Sequence, residues 1–315
     1  KSGATVHWRL PRLTPEVREL IGKAIPGALA ASATQVNIFI SGNLASHVPG
    51  GRTWLATADR LYQLPLGLVG VAIGVALLPR LSRAVNSGDR DDAQSAMDQG
   101  IALAMALTLP AAAALVAMPG FLSDGLYTRG EFTAFDASQT AAALFFYGLG
   151  TPAFVLQQLY SRAFFARGDT KSPMRFALVS VAVNIIFGVV LFKLIGVKGI
   201  AAATALASWL NVAQMAVVLG RNGEYGPSAQ TWSRLSRILL ASLGLGALMA
   251  AASHYRDLIE APLRAIGLTG HAIGAKEFAL ALTCLAGLAV YPPLLFLFGG
   301  VKPAELKAAL RRGKA

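Results

Sequence analysis

Eight long stretches without a charged side chain constrain the fold of this 315-residue chain more than any other feature. They cover residues 24–51, 61–79, 99–123, 137–161, 176–192, 199–220, 238–255 and 278–301. Each is near or above the roughly 17–25 residues that a helix needs to cross a membrane. Spanning strands would be about half as long and would alternate apolar with polar residues, which these stretches do not do. The sequence therefore predicts an all-α polytopic membrane protein with eight transmembrane helices.

The charge content supports a membrane protein over a soluble one. Charged residues make up 14% of the chain and hydrophobic residues 55%, whereas about a quarter of the residues in a soluble domain are charged. Most of the Lys and Arg residues fall on one side of the membrane if the N-terminus lies in the cytoplasm, and such an excess marks the cytoplasmic face. The sequence thus predicts a multi-pass protein of the bacterial inner membrane with both ends of the chain cytoplasmic.

The net charge of +12 predicts that the chain contacts a negatively charged partner. Nucleic acid is one answer, but the charges are spread over short loops and tails and do not form one patch, so no nucleic acid is expected. Anionic membrane lipids are the better match. Residues 1–16 are predicted to form a basic amphipathic segment on the cytoplasmic membrane surface, and residues 301–315 a basic cytoplasmic tail. Since the chain begins with Lys1, we expect that the native protein starts further upstream.

The sequence lacks the residue patterns that metal binding, nucleotide binding and nucleophilic catalysis require. The one cysteine, Cys284, lies in the last stretch, and His7, His47, His254 and His271 lie far apart without metal-ligand spacing. There is no GxxxxGK[ST] phosphate loop and no GxSxG nucleophile motif. The sequence predicts a transporter without its own ATPase, not an enzyme, with no cofactor and no metal site.

The second stretch is preceded by an ionisable pair, Asp59 and Arg60. A charge at mid-membrane costs roughly 2.5–3.5 kcal/mol on insertion scales and usually faces a cavity or a partner. Arg60 is therefore the best candidate for a residue that contacts an anionic substrate, unless it reaches the headgroup layer from two turns inside the helix. Pro65 favours the interpretation that Arg60 contacts a substrate, because it removes the hydrogen bond to the carbonyl of Leu61 beside Arg60.

A polar face is predicted on the sixth helix. Thr204, Ser208 and Asn211 recur at i, i+4 and i+7, which places them on one side. Such a face most often hydrogen-bonds a neighbouring helix. Lining a cavity is the alternative.

Four blocks of sequence resemble one known family. They are TQVNIFISGNLAS (34–46), ADRLYQLPLGLVGVAIGVALLPRLSRA (58–84), YSRAFFARGDTKSP (160–173) and GIAAATALASWLN (199–211). Together they resemble the MurJ/MviN family of lipid II flippases, over essentially the whole chain. The blocks at 58–84 and 160–173 are the specific ones.

The resemblance implies the multidrug/oligosaccharidyl-lipid/polysaccharide exporter fold, in which two six-helix lobes form a V. Residues 17–220 would be the second lobe and residues 221–300 two additional transmembrane helices. The first, N-terminal lobe of the same protein would be missing from this chain.

The resemblance also implies an activity. A lipid II flippase moves undecaprenyl-diphosphate-linked disaccharide-pentapeptide from the cytoplasmic to the periplasmic leaflet by alternating access. Arg60 would bind the diphosphate, and Asp59 would orient Arg60 or neutralise it while the cavity is empty. The last two helices would line an apolar groove for the lipid tail. Alternatives are an exporter of another lipid-linked oligosaccharide or of a drug, and a non-transporting scaffold subunit.

One departure from the family concerns sodium. The resemblance implies that some members of the family hold a sodium ion with carboxylates, whereas the matching positions here are Ser41, Asn184, Gly188 and Thr204. Neutral oxygens alone bind a cation poorly. The sequence therefore predicts no sodium site and coupling to the membrane potential, worth about 2.3 kcal/mol per charge per 100 mV.

Overall fold

A computed structural model describes residues 14–76, 78–265 and 274–300, and these residues form eleven α-helices. The helices are α1 (Pro15–Ser46), α2 (Gly51–Ala76), α3 (Leu78–Asn86), α4 (Arg90–Ala117), α5 (Pro119–Tyr127), α6 (Ala134–Ala166), α7 (Lys171–Ile195), α8 (Lys198–Arg221), α9 (Ala229–His254), α10 (Arg256–Ala265) and α11 (Ala275–Leu297). The predicted basic tail, and all of the predicted N-terminal segment except its last three residues, lie outside the described part of the chain.

Each of the eight charge-free stretches coincides with one long helix. Six of these helices, α4, α6, α7, α8, α9 and α11, are long and apolar enough to cross a membrane. The other two, α1 and α2, have 32 and 26 residues, so they are long enough, but they are not among the six. The prediction of an all-helical protein with several candidate spans is confirmed, whereas the count of eight stays a prediction.

Three short helices were not predicted: α3, α5 and α10. They have nine or ten residues and join longer helices. In α3, Leu81 and Ala84 are buried against the core while Arg83 is exposed. A search for long charge-free stretches misses such helices, because they are short and each contains at least one charged residue.

Short polar side chains begin several of the long helices. Asp89 Oδ1 accepts a hydrogen bond from the N–H of Asp92 at 2.9 Å where α4 begins. At the start of α6, the side chains of Thr133 and Asp136 each accept a hydrogen bond from the other residue's N–H. These caps satisfy N–H groups that the first turn of a helix leaves free.

Helices α7 and α8 form a tight hairpin that depends on two glycines. Gly196 has a φ of +75°, a backbone conformation that residues other than glycine rarely adopt. At Gly199 a Cβ atom would lie 2.3 Å from the carbonyl oxygen of Leu191. The closeness of the two backbones therefore requires glycine at position 199.

Two buried clusters hold the helices together. One is centred on Leu81, Met97, Phe164 and Met215, from α3, α4, α6 and α8. The other joins Phe121, Leu144 and Ile200 to Met249 of α9 and Leu280 of α11. Helices α9 and α11 thus share a core with the preceding helices, so the buried cores do not divide at residue 220.

The loop between α8 and α9 is tied to α4. The Tyr225 hydroxyl donates to Asp98 Oδ1 at 2.7 Å, and Gln94 Nε2 donates to the Gly226 carbonyl at 2.7 Å. Tyr225 is only 3% exposed. Burial raises the pKa of Tyr225, and the hydrogen bond to the neighbouring Asp98 carboxylate raises it further. The hydroxyl therefore stays protonated and donates throughout the physiological pH range.

Replacing Tyr225 by phenylalanine should destabilise the protein by about 1.5–3 kcal/mol, because a hydrogen bond to a charged acceptor is lost. Thermal unfolding in detergent measures the effect. Tyr127→Phe is the matched control, since no hydrogen bond of the Tyr127 hydroxyl is found within the described residues. If the two variants unfold at the same temperature, the loop is not held by this contact.

Candidate functional site

Arg60 lies on the exposed side of α2. The exposed positions Thr53, Ala56, Arg60, Gln63 and Gly67 follow one another at spacings of three or four residues, which is one helical face. We call these five residues the Arg60 face. The opposite side of α2, which includes Trp54 and Leu61, is buried in the second cluster.

The chemistry of the Arg60 face differs from that of the other exposed helix surfaces. Between its charged ends, α7 exposes mainly large apolar side chains: Leu178, Val179, Ile186, Phe187 and Val190. The Arg60 face carries small or polar residues instead, and exposed Leu64 flanks it. A surface that contacts acyl chains is apolar, whereas polar and ionisable residues within spans usually face a water-filled cavity. The composition of the Arg60 face indicates contact with water.

The Arg60 guanidinium is available to bind an anion. Among the residues that the structure describes, none forms a hydrogen bond or an ion pair with it. Its five N–H donors are arranged in a planar fork that matches two oxygens of a phosphate or carboxylate. The arrangement can therefore hold an anionic group without first breaking a protein contact.

The structure does not bring Asp59 and Arg60 together. Gln63 Nε2 donates a hydrogen bond to Asp59 Oδ2, and Asp59 is half-buried. Successive side chains on an α-helix diverge by about 100°, which directs the two neighbours to different sides. The expected pairing of Asp59 with Arg60 is therefore not seen, and Gln63 takes its place as the partner of Asp59.

An aromatic contact beside this pair was missed by sequence reasoning. The Tyr62 ring lies 4.9 Å from the ring of Tyr147 and 4.9 Å from that of Phe154, both on α6. Tyr147 and Phe154 are seven residues apart, so the sequence already indicated that the two rings lie on the same face of α6. The contact fixes the rotation of α2 about its axis and thereby keeps Arg60 on the exposed side.

A second polar site lies between α1, α6, α7 and α8. It is a cavity of about 150 Å³ lined by Asn37, Gln157, Ala177, Ser180, Val181, Asn184, Thr204, Ala207, Ser208 and Asn211. Asn184 Nδ2 donates to Asn37 Oδ1 at 3.1 Å and to Thr204 Oγ1 at 3.4 Å. Both interpretations of the polar face on α8 are therefore correct: Thr204 bonds to a neighbouring helix, and the face lines a cavity.

The last two long helices expose apolar side chains. On α9 these include Leu239, Leu240, Leu243 and Leu248, and on α11 Leu282, Leu285 and Leu288. Surfaces of this kind suit acyl chains, whether of the bilayer or of a lipid substrate.

Comparison with known proteins identifies the fold and the family. The sequence profile of the family described as "Lipid II flippase MurJ" matches residues 1–260. A protein from Rhizobium tropici named "Probable lipid II flippase MurJ" is 39% identical over 311 residues, covering 99% of this chain and 57% of the relative. One of the same name from Rhizobium meliloti (strain 1021) is 36% identical over 313 residues, with the same two coverages. The resemblance noted in the sequence is confirmed.

Solved structures show the same fold. "Lipid II flippase MurJ, inward closed conformation" superposes with a TM-score of 0.67 at 22% identity, covering 91% of this chain and 56% of that one. A multidrug resistance MATE transporter of the MOP superfamily in an outward-facing conformation has a TM-score of 0.55 at 17% identity, covering 87% and 63%. The chain thus shares the fold of these structures, and its family and candidate spans make it a multi-pass membrane protein. It spans 57% of the length of the relatives from Rhizobium.

Proposed function

Because this chain belongs to the lipid II flippase MurJ family, we propose that it acts in moving lipid II across the bacterial inner membrane. The observation that carries the proposal is the Arg60 guanidinium, which bonds to none of the described residues and lies on the polar face of a long helix that carries no charge from Leu61 onward. The family is named for a transport activity, and no enzymatic activity is proposed.

We propose that the diphosphate of lipid II binds at Arg60. A diphosphate offers several oxygens to the guanidinium fork, and a bidentate pair adds both energy and directionality. In a cavity of low dielectric the attraction is stronger than in bulk water. The bound anion would also offset the cost of holding Arg60 within the membrane.

Asp59 has a different part in this proposal from the one expected from sequence. Since its carboxylate is held by Gln63, it does not compete with the substrate for the guanidinium. Asp59 is thus proposed as a positioning residue, not as a direct ligand of the diphosphate.

We further propose that α1 and α2 cross the membrane and line the substrate cavity, which brings the number of spans to eight. Both are long enough to cross. With both ends of the chain in the cytoplasm, alternating access would expose the Arg60 face first to the cytoplasm and then to the periplasm.

The lipid tail is proposed to lie along α9 and α11, whose exposed leucines offer an apolar surface. Residues 221–300 would then act as an addition to the six-helix lobe of residues 17–220. The comparisons give no support to the further N-terminal lobe expected above, because a coverage of 57% does not say where the unmatched length lies. That expectation stays a prediction.

Depleting the gene product from cells that depend on it tests the function. We expect lipid II to accumulate in the inner leaflet, where a membrane-impermeant enzyme that cleaves lipid II cannot reach it from outside. A scaffold subunit would leave lipid II accessible to that enzyme. A drug exporter would change drug efflux and leave lipid II in its normal place.

A further inference from the structure

The cavity between α1, α6, α7 and α8 contains three side-chain oxygens that have no hydrogen-bond partner among the described residues. They are Ser180 Oγ, Asn184 Oδ1 and Asn211 Oδ1. The three side chains are 8%, 5% and 1% exposed. All three residues line the same cavity of about 150 Å³. The unpartnered groups are therefore gathered at one place within the candidate spans α7 and α8.

Such groups require a donor. Leaving a buried hydrogen-bonding group unpaired costs about 1–3 kcal/mol, and the hydrocarbon of a bilayer supplies no partner. The cavity of about 150 Å³ has room for several water molecules, and a buried water needs two to four polar partners. Its polar lining satisfies both conditions.

The chemistry of the lining selects a neutral occupant. The described residues that line the cavity include no Asp, Glu, Lys or Arg. A cation there would lose its hydration shell without gaining an anionic ligand. We propose that the cavity binds a small cluster of ordered water molecules, which donate hydrogen bonds to Ser180, Asn184 and Asn211.

The water cluster would hydrate the joint between α1 and α7. Asn184 of α7 bonds to Asn37 of α1 across this joint. Water can exchange hydrogen-bond partners as helices move, whereas a directly packed polar contact must break first. A hydrated joint would let α1 shift against α7 during transport. This consequence rests on the proposed function, but the hydration itself does not.

Radiolytic hydroxyl-radical labelling in nanodiscs tests the hydration, because radicals formed from a bound water oxidise the nearest side chain. Val181 lines the cavity, while Val179 of the same helix is exposed among the large apolar side chains of α7. We expect Val181 to be labelled several-fold faster than Val179. Equal, slow labelling of the two valines would overturn the proposal.

Two variants and an ion series complete the test. Asn211→Leu fills the cavity and removes one acceptor, so labelling of Val181 should fall several-fold; Ser180→Ala should lower it less and serves if Asn211→Leu does not fold. Unfolding temperatures in sodium chloride and in choline chloride at equal ionic strength should coincide. A higher unfolding temperature in sodium chloride would assign the cavity to a cation and contradict the water cluster.

The effect on transport is measured separately. Asn211→Leu should slow lipid II transport several-fold and leave the affinity for undecaprenyl diphosphate unchanged. Unaltered transport with lost labelling would reject the role of water in the joint, although the water site itself would stand. Failure of the wild-type protein to transport lipid II would instead reject the proposed function.

Discussion

Replacing Arg60 by alanine is expected to abolish lipid II transport without preventing folding. Each charge-assisted hydrogen bond to the diphosphate contributes about 1.5–3 kcal/mol, so losing a bidentate pair should weaken binding by at least about a hundredfold. The fold should tolerate the change, because the side chain is exposed and bonds to none of the described residues. Growth of cells that depend on the variant, together with its amount in the membrane, measures both effects.

The control for this experiment is Arg52→Ala. Arg52 is also an exposed arginine of α2, but it lies about two turns nearer the start of the helix. We expect the Arg52 variant to support growth. Arg60→Lys should be intermediate, since lysine keeps the charge and loses the planar fork. Normal growth with Arg60→Ala would show that this side chain does not bind the substrate.

The second large effect is expected at Gly199. In Gly199→Ala the new Cβ would lie 2.3 Å from the carbonyl oxygen of Leu191, so one backbone of the α7–α8 hairpin must move. Overpacking of this kind costs about 1–3 kcal/mol or more. We expect a clear fall in unfolding temperature and in the amount of folded protein recovered from membranes.

Gly120→Ala is the matched substitution. No heavy atom lies within 4 Å of a Cβ built at Gly120, which is also helical. Alanine favours a helix over glycine by about 0.8–1 kcal/mol, so this variant should be unchanged or slightly more stable. If both variants unfold at the same temperature, the α7–α8 approach is looser than described.

The long helices could be predicted from the sequence, because absence of charge over a membrane-spanning length is a property of the chain itself. The exposure of Arg60 was also predictable, since an arginine cannot be buried cheaply. The count of spans was harder to judge. Helix α2 has the polar Arg60 face opposite a buried apolar side, and mean hydropathy alone does not distinguish a cavity-lining span from a surface helix.

The details of the site depend on local helix geometry and on contacts between distant residues. The partner of Asp59 depends on helix geometry, which favours Gln63 four residues later over the adjacent Arg60. The contacts of Tyr62 require the rotation of α2 against α6. Likewise, Ser180 and Asn211 are polar residues on two different helices, and only their packing shows that both lack a partner in one cavity.

Thiol labelling tests most directly whether the Arg60 face lines a water-filled cavity that binds diphosphate. The chain has a single cysteine, so Cys284→Ala gives a background in which one cysteine at a time is placed at position 56, 60 or 63 of the face, or at Ile186 on the apolar surface of α7. We predict that a water-soluble maleimide labels the three positions of the face and not position 186. With Arg60 intact, undecaprenyl diphosphate should protect positions 56 and 63. Labelling at position 60 no faster than at position 186 would contradict the account.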